Sequence, residues 1–187
     1  MPMSSSESAT ALKRTVIIAI FAAVAVVLSI VEAQIPLAGM GLMPGAKLGF
    51  ANIMILTCIY FLRGRDVFVL VILKTLLTAF LLGTLSSLLF SLFGSLFSFV
   101  VMFALVKLGG KKFSVIGISI AGGLAHNTGQ LLAAAIVFKS MSILYYLPVL
   151  LIMGIVTGIA VGFAVRYVVD SLSKISLFEE FLNGPGH

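Results

Sequence analysis

GISIAGGLAHNTGQLLAAAIVF, Gly117 to Phe138, decides how this chain folds. It is long and apolar enough to cross a bilayer, which takes about 20 residues in a helix. Its middle nevertheless carries His126, Asn127 and Gln130. Polar groups at that depth are costly in hydrocarbon unless they face other helices, a cavity or a ligand. His126 and Gln130 are four apart and share one helix face, with Asn127 beside them. Gly122, Gly123, Ala125 and Gly129 surround them and let neighbouring backbones come close. The segment reads as an interior helix of a membrane bundle.

The rest of the composition agrees. Of 187 residues, 61% are hydrophobic and 10% charged, with a mean hydropathy of +1.26. Soluble domains are roughly 45–50% apolar and about 25% charged. An all-α integral membrane protein of one domain is the class expected, in the plasma membrane. The single cysteine, Cys58, lies in an apolar run without metal-site companions. Residues 1–12 are polar and Ser-rich, so the first apolar run is read as a span and not as a cleaved signal.

Taken in order, residues 1–12 read as a disordered arm and 13–170 as a six-helix transmembrane domain. The spans are expected at about 15–31, 48–62, 67–82, 88–106, 117–138 and 143–169, followed by a cytoplasmic tail, 171–187. Between the first two spans, Glu32 to Lys47 holds two prolines and three glycines yet few polar groups. It is expected to fold over one face of the bundle as an interfacial loop. With the amino terminus inside, nine cations (Lys13, Arg14, Arg63, Arg65, Lys107, Lys111, Lys112, Arg166 and Lys174) fall at inner ends. Only Lys47 and Lys139 fall outside, and Lys74 lies within a span. That asymmetry is the positive-inside pattern, with both termini cytoplasmic. It accounts for the net charge of +6 through topology, and no nucleic-acid partner is expected.

Small residues recur at four-residue spacing: Ala19 and Ala23 on the first span, Ser87, Ser91 and Ser95 on the fourth, Gly154, Gly158 and Gly162 on the last. Such stripes let helices pack through their backbones. The first-span pair is also a candidate docking face for another membrane protein.

Catalysis finds little support. The six acids (Glu7, Glu32, Asp66, Asp170, Glu179 and Glu180) form no paired aspartates of the kind that hold magnesium diphosphate. There is no Gly-rich phosphate loop ending in Lys-Ser or Lys-Thr, and no HExxH or Cys-His cluster. The chain is therefore expected not to be an enzyme and to bind no metal or cofactor. What it offers instead is a set of hydrogen-bonding groups and cations. His126, Asn127, Gln130, Asn52, Lys47 and Lys74 are expected to converge on a small solute in the outer half of the bundle, with 32–47 as lid. Each has a plainer alternative: Asn52 and Asn127 as helix glue, His126 as a satisfied interior histidine, Lys74 snorkelling to an interface. A stand-alone carrier and an enzyme centred on His126 are the remaining readings.

Four stretches carry a resemblance: PGAKLGFANI (44–53), LFSLFGSLFSFVVM (89–102), GISIAGGLAHNTGQLLAA (117–134) and YLPVLLIMGIVTG (146–158). Together they resemble the Gx transporter family, also labelled heptaprenyl diphosphate synthase component I, over about residues 13–170. That family is similar in turn to the substrate-binding S-components of energy-coupling factor (ECF) importers. The resemblance implies a six-helix S-component-like bundle that captures a vitamin or related micronutrient near the outer surface. It implies docking, through Ala19 and Ala23, on a transmembrane coupling subunit with two ATPases; ATP would be used by those partners and not by this chain. The other label implies a membrane accessory protein of isoprenoid-quinone synthesis, since this chain lacks the acidic clusters of a prenyl-transferring subunit.

Overall fold

The computed structural model describes residues 5–35, 47–82, 85–109, 112–175 and 178. Those residues form helices and turns throughout. The order is α1 (Ser5–Ala33), α2 (Asn52–Phe61), α3 (Gly64–Leu82), α4 (Leu85–Gly109), α5 (Val115–Val137), a 3-10 turn (Met141–Tyr146) and α6 (Leu147–Leu172). Three helical stretches are long and apolar enough to cross a membrane: Thr10–Ala33, Leu85–Gly109 and Met141–Leu172. They leave large apolar side chains uncovered, among them Val16, Ile20 and Val27 on α1 and Ile152, Val156 and Phe163 on α6. In a helix whose backbone is satisfied internally, such a face suits lipid. The chain is a helical membrane protein.

Two elements differ from the reading of the sequence. Residues 5–12 were expected to be irregular but form the start of α1, where Ala9, Ala11, Leu12 and Lys13 all favour helix. The short apolar run at 48–62 yields a helix only over Asn52–Phe61, roughly 15 Å at the α-helical rise and about half the hydrocarbon thickness. Gly49, at φ +90°, breaks the chain just before it. Of the 32–47 lid, residues 36–46 lie outside the described residues, while both of its ends are described.

Local chemistry sets the helix ends. The Ser114 hydroxyl accepts the Gly117 N–H at 3.0 Å and caps α5. Pro148 stands in the first turn of α6, where its missing N–H costs nothing. In the first turn of α3, Asp66 accepts the Arg63 N–H at 3.2 Å. The same carboxylate pairs with Arg14 at 3.6 Å, so the basic ends of α1 and α3 lie side by side.

α5 is the middle helix, packed between α4 and α6. A Cβ added at Gly123 would lie 2.6 Å from the Gly154 carbonyl oxygen, one at Gly158 would lie 2.6 Å from Ile120 Cα, and one at Gly162 2.8 Å from Ile116 Cα. The α6 glycine stripe is therefore a seam against α5. Beyond Gly162 and Val165 the face opens, and Arg166 and Asp170 are exposed. On the other side, Gly129 packs on the Phe93 backbone and Gly122 on Met102, with Ser91, Ser95 and Ser98 of α4 buried alongside.

The core is in two parts. One gathers Ile17 and Phe21 of α1, most of α2, Val67 and Leu70 of α3, and Ile118. The other gathers Leu48, Phe90, Leu131, Ala133, Ala134 and Leu150. On α5 the two are separated by the stretch that holds His126, Asn127 and Gln130.

Candidate functional site

Between the two apolar cores lies a belt of buried polar side chains contributed by α1, the 47–52 segment, α3, α4 and α5. Gly49 is its pivot. Its N–H donates to Glu32 Oε1 at 2.6 Å, which ties the last turn of α1 to the chain entering α2. A Cβ at Gly49 would stand 2.9 Å from Asn52 Nδ2 and 3.3 Å from His126 Cδ2. The amide and the imidazole therefore flank this glycine closely. On the far side of the ring, a Cβ at Gly94 would lie 3.0 Å from His126 Nδ1. Two glycines, one at positive φ and one in α4, make room for the histidine.

Lys74 enters from α3 and is 2% exposed. It does not snorkel to an interface. Its ammonium acts electrostatically on Glu32 and His126, as does that of Lys47. The Lys47 Nζ is buried without a hydrogen-bond partner among the described residues. Burial pushes the Lys47 ammonium below its ordinary range, and the Glu32 carboxylate opposes that shift.

The six residues singled out in the sequence thus divide into two groups. Lys47, Asn52, Lys74 and His126 come together around Gly49. Asn127 and Gln130 are engaged elsewhere. Asn127 Nδ2 donates to the Leu150 carbonyl at 2.6 Å, joining α5 to α6. Gln130 Oε1 accepts the Lys47 N–H at 3.0 Å. Its Nε2 donates to the Lys47 carbonyl at 2.9 Å and to Asn127 Oδ1 at 2.9 Å. These two amides fix helix α6 and the end of the 32–47 segment to α5, in a satisfied buried network.

The unsatisfied groups include members of the first set. Both His126 nitrogens lack a well-formed hydrogen bond among the described residues, with only a weak backbone interaction at Gly94. Asn52 Oδ1 is unpartnered too, as are the buried hydroxyls of Thr75 and Thr78 on α3, Ser95 and Ser98 on α4, and Ser119 on α5. Buried polar groups without partners are rare and costly. The unpartnered atoms of Asn52 and His126, on either side of Gly49, leave hydrogen-bonding capacity that a polar guest could use.

Glu32 was passed over in the sequence because it stands at the end of an apolar run. Its 3% exposure arises from the chain folding back through Gly49. The nearest signal was the lone acid before a Pro- and Gly-rich segment. Among the described residues no second carboxylate joins it: Asp170 is exposed, and Asp66 is paired with Arg14, which lies 18 residues before Glu32 on α1, or roughly 27 Å along a helix. Among the described residues no three His, Cys, Asp or Glu side chains group as metal ligands.

A family model described as heptaprenyl diphosphate synthase component I matches residues 21–168. The chain belongs to this family. No curated protein and no solved structure matches the chain. Every member of the polar cluster falls inside the part shared with the component I family, as do Ala23 on α1 and the α5–α6 seam; Ala19 and the tail residue Phe178 fall outside it.

Proposed function

We propose that this chain is a non-catalytic membrane component that captures a small polar solute inside its helical bundle. The observation that carries the reading is the buried cluster of Lys47, Asn52, Lys74 and His126, with its unpartnered nitrogens and oxygens. Among the described residues Glu32 is the one carboxylate beside that cluster, which supports binding over paired-acid or magnesium diphosphate chemistry. The family description supports a role beside heptaprenyl diphosphate formation. In that role the chain is the accessory component, holding or supplying an isoprenoid or quinone precursor while a separate subunit carries out the prenyl transfer. Six spans with both termini in the cytoplasm and residence in the plasma membrane belong to the same proposal. They are supported by the nine-to-two distribution of cations and by the Arg14–Asp66 pair, which sets two basic ends together.

A second reading keeps the capture site and changes what it serves. In an ECF-type importer the chain would be the solute-binding component, docking on a transmembrane coupling subunit whose two ATPases use ATP. The exposed face of α1 favours it: Ala19 and Ala23 lie uncovered while Ala22 and Ala25 are buried, leaving a small-residue strip for another helix.

Mass spectrometry of small molecules retained by the purified chain tests capture. Retention is expected in the wild type and its loss in His126→Ala and Asn52→Ala; equal retention by all three would remove the site. Prenyl diphosphate yield with and without the chain, and co-purification with a coupling subunit, then separate the two services.

A further inference from the structure

Among the described residues, the acidic and basic groups enclosed in the polar belt do not match in number. Glu32 is 3% exposed and Lys74 2%, and the Lys47 Nζ is buried. All three feel one another electrostatically. The 36–46 stretch adds no ionisable side chain. Lys139 is exposed, and Arg14 and Asp66 form their own pair. Among the described residues the cluster thus holds one carboxyl and two amines, and the carboxyl already accepts the Gly49 N–H. An unbalanced charge in a low-dielectric interior is expensive until a counter-charge joins it.

The hydrogen-bonding inventory narrows the guest further. Lys47 Nζ offers donors only, Asn52 Oδ1 an acceptor only, and His126 either. Gln130 clamps both the N–H and the C=O of Lys47, so this lysine is presented from a fixed backbone. We infer that the site takes a small monoanion, with its acidic group between Lys47 and Lys74 and a hydrogen-bonding remainder, including at least one donor, against Asn52 and His126. This rests on the capture reading above.

Equilibrium dialysis of the detergent-solubilised full chain against benzoate, benzamide and benzylamine tests the charge class, because the three probes differ little except in charge. Saturable benzoate binding is expected, with benzamide and benzylamine weaker by roughly tenfold or more. Lys74→Met and Lys47→Met should each weaken benzoate roughly 10- to 100-fold, the worth of one charged hydrogen bond. Should Lys74→Met fail to fold, Lys47→Met, at a partly exposed residue, decides alone. Benzylamine or benzamide binding as well as benzoate, or benzoate binding indifferent to the lysines, overturns the inference. Metabolite retention by the wild type separates the two levels. A retained cation or uncharged compound sinks the monoanion and leaves capture standing, whereas no retained compound and no probe bound sinks both.

Discussion

Glu32 gives its carboxylate to a backbone amide 17 residues further on, and that one bond closes α1 over the entrance to α2. Truncating it leaves the Gly49 N–H buried without its acceptor and two lysines without their counter-charge. Glu32→Ala is expected to destabilise the protein by roughly 1–3 kcal/mol, read from denaturant unfolding in detergent by circular dichroism. No shift in midpoint would mean the bond is dispensable. Gly49 is constrained twice, by its φ of +90° and by Asn52 and His126 on either side. Gly49→Ala should cost about 1–3 kcal/mol through backbone strain and crowding. It should also weaken solute retention, because the Asn52 amide, 2.9 Å from the added methyl, has to move; a variant that melts and retains solute like the wild type would contradict this geometry.

Helix α5 is held to α6 by close backbone approach and by the Asn127–Leu150 hydrogen bond. At Gly158 an added methyl meets Ile120 Cα and N, atoms that cannot rotate away, so the two helices must part. Gly158→Ala is expected to cost roughly 1–3 kcal/mol, as overpacking does, measured by the same unfolding assay. A neutral outcome would show that α6 slides freely on α5. The seam also explains why the α6 stripe is glycine and not alanine down to Gly162, and why Arg166 one turn later escapes burial.

Across the whole molecule, the tail returns to the bundle. Phe178 is 6% exposed and stacks on Phe21 at 6.1 Å while meeting Phe61 edge-on at 5.0 Å. It joins the middle of α1 to the last residue of α2. Phe178→Ala should cost roughly 3–5 kcal/mol if the cavity stays open, with the lower end expected because a terminal segment can settle inward. Thermal unfolding in detergent checks this, and an unchanged melting point would mean that the tail merely rests there.

The sequence by itself determined the membrane class, the helical architecture and the polar island on α5. Those properties are local or additive: apolar run length, the period of small residues, and the rarity of His, Asn and Gln in hydrocarbon. It also brought Lys47, Asn52, Lys74 and His126 under suspicion, since each is conspicuous in an apolar chain. Only the tertiary structure decided how those groups are used. Asn127 and Gln130 look identical in kind to His126 along the helix, yet they face the Leu150 carbonyl and the Lys47 backbone and are satisfied there. Glu32 stood only as an acid at the end of a span because burial depends on where a distant segment returns, and the tail that carries Phe178 had no role for the same reason. A hydrogen bond across 83 residues has no local signature; it exists only once the chain has folded around it.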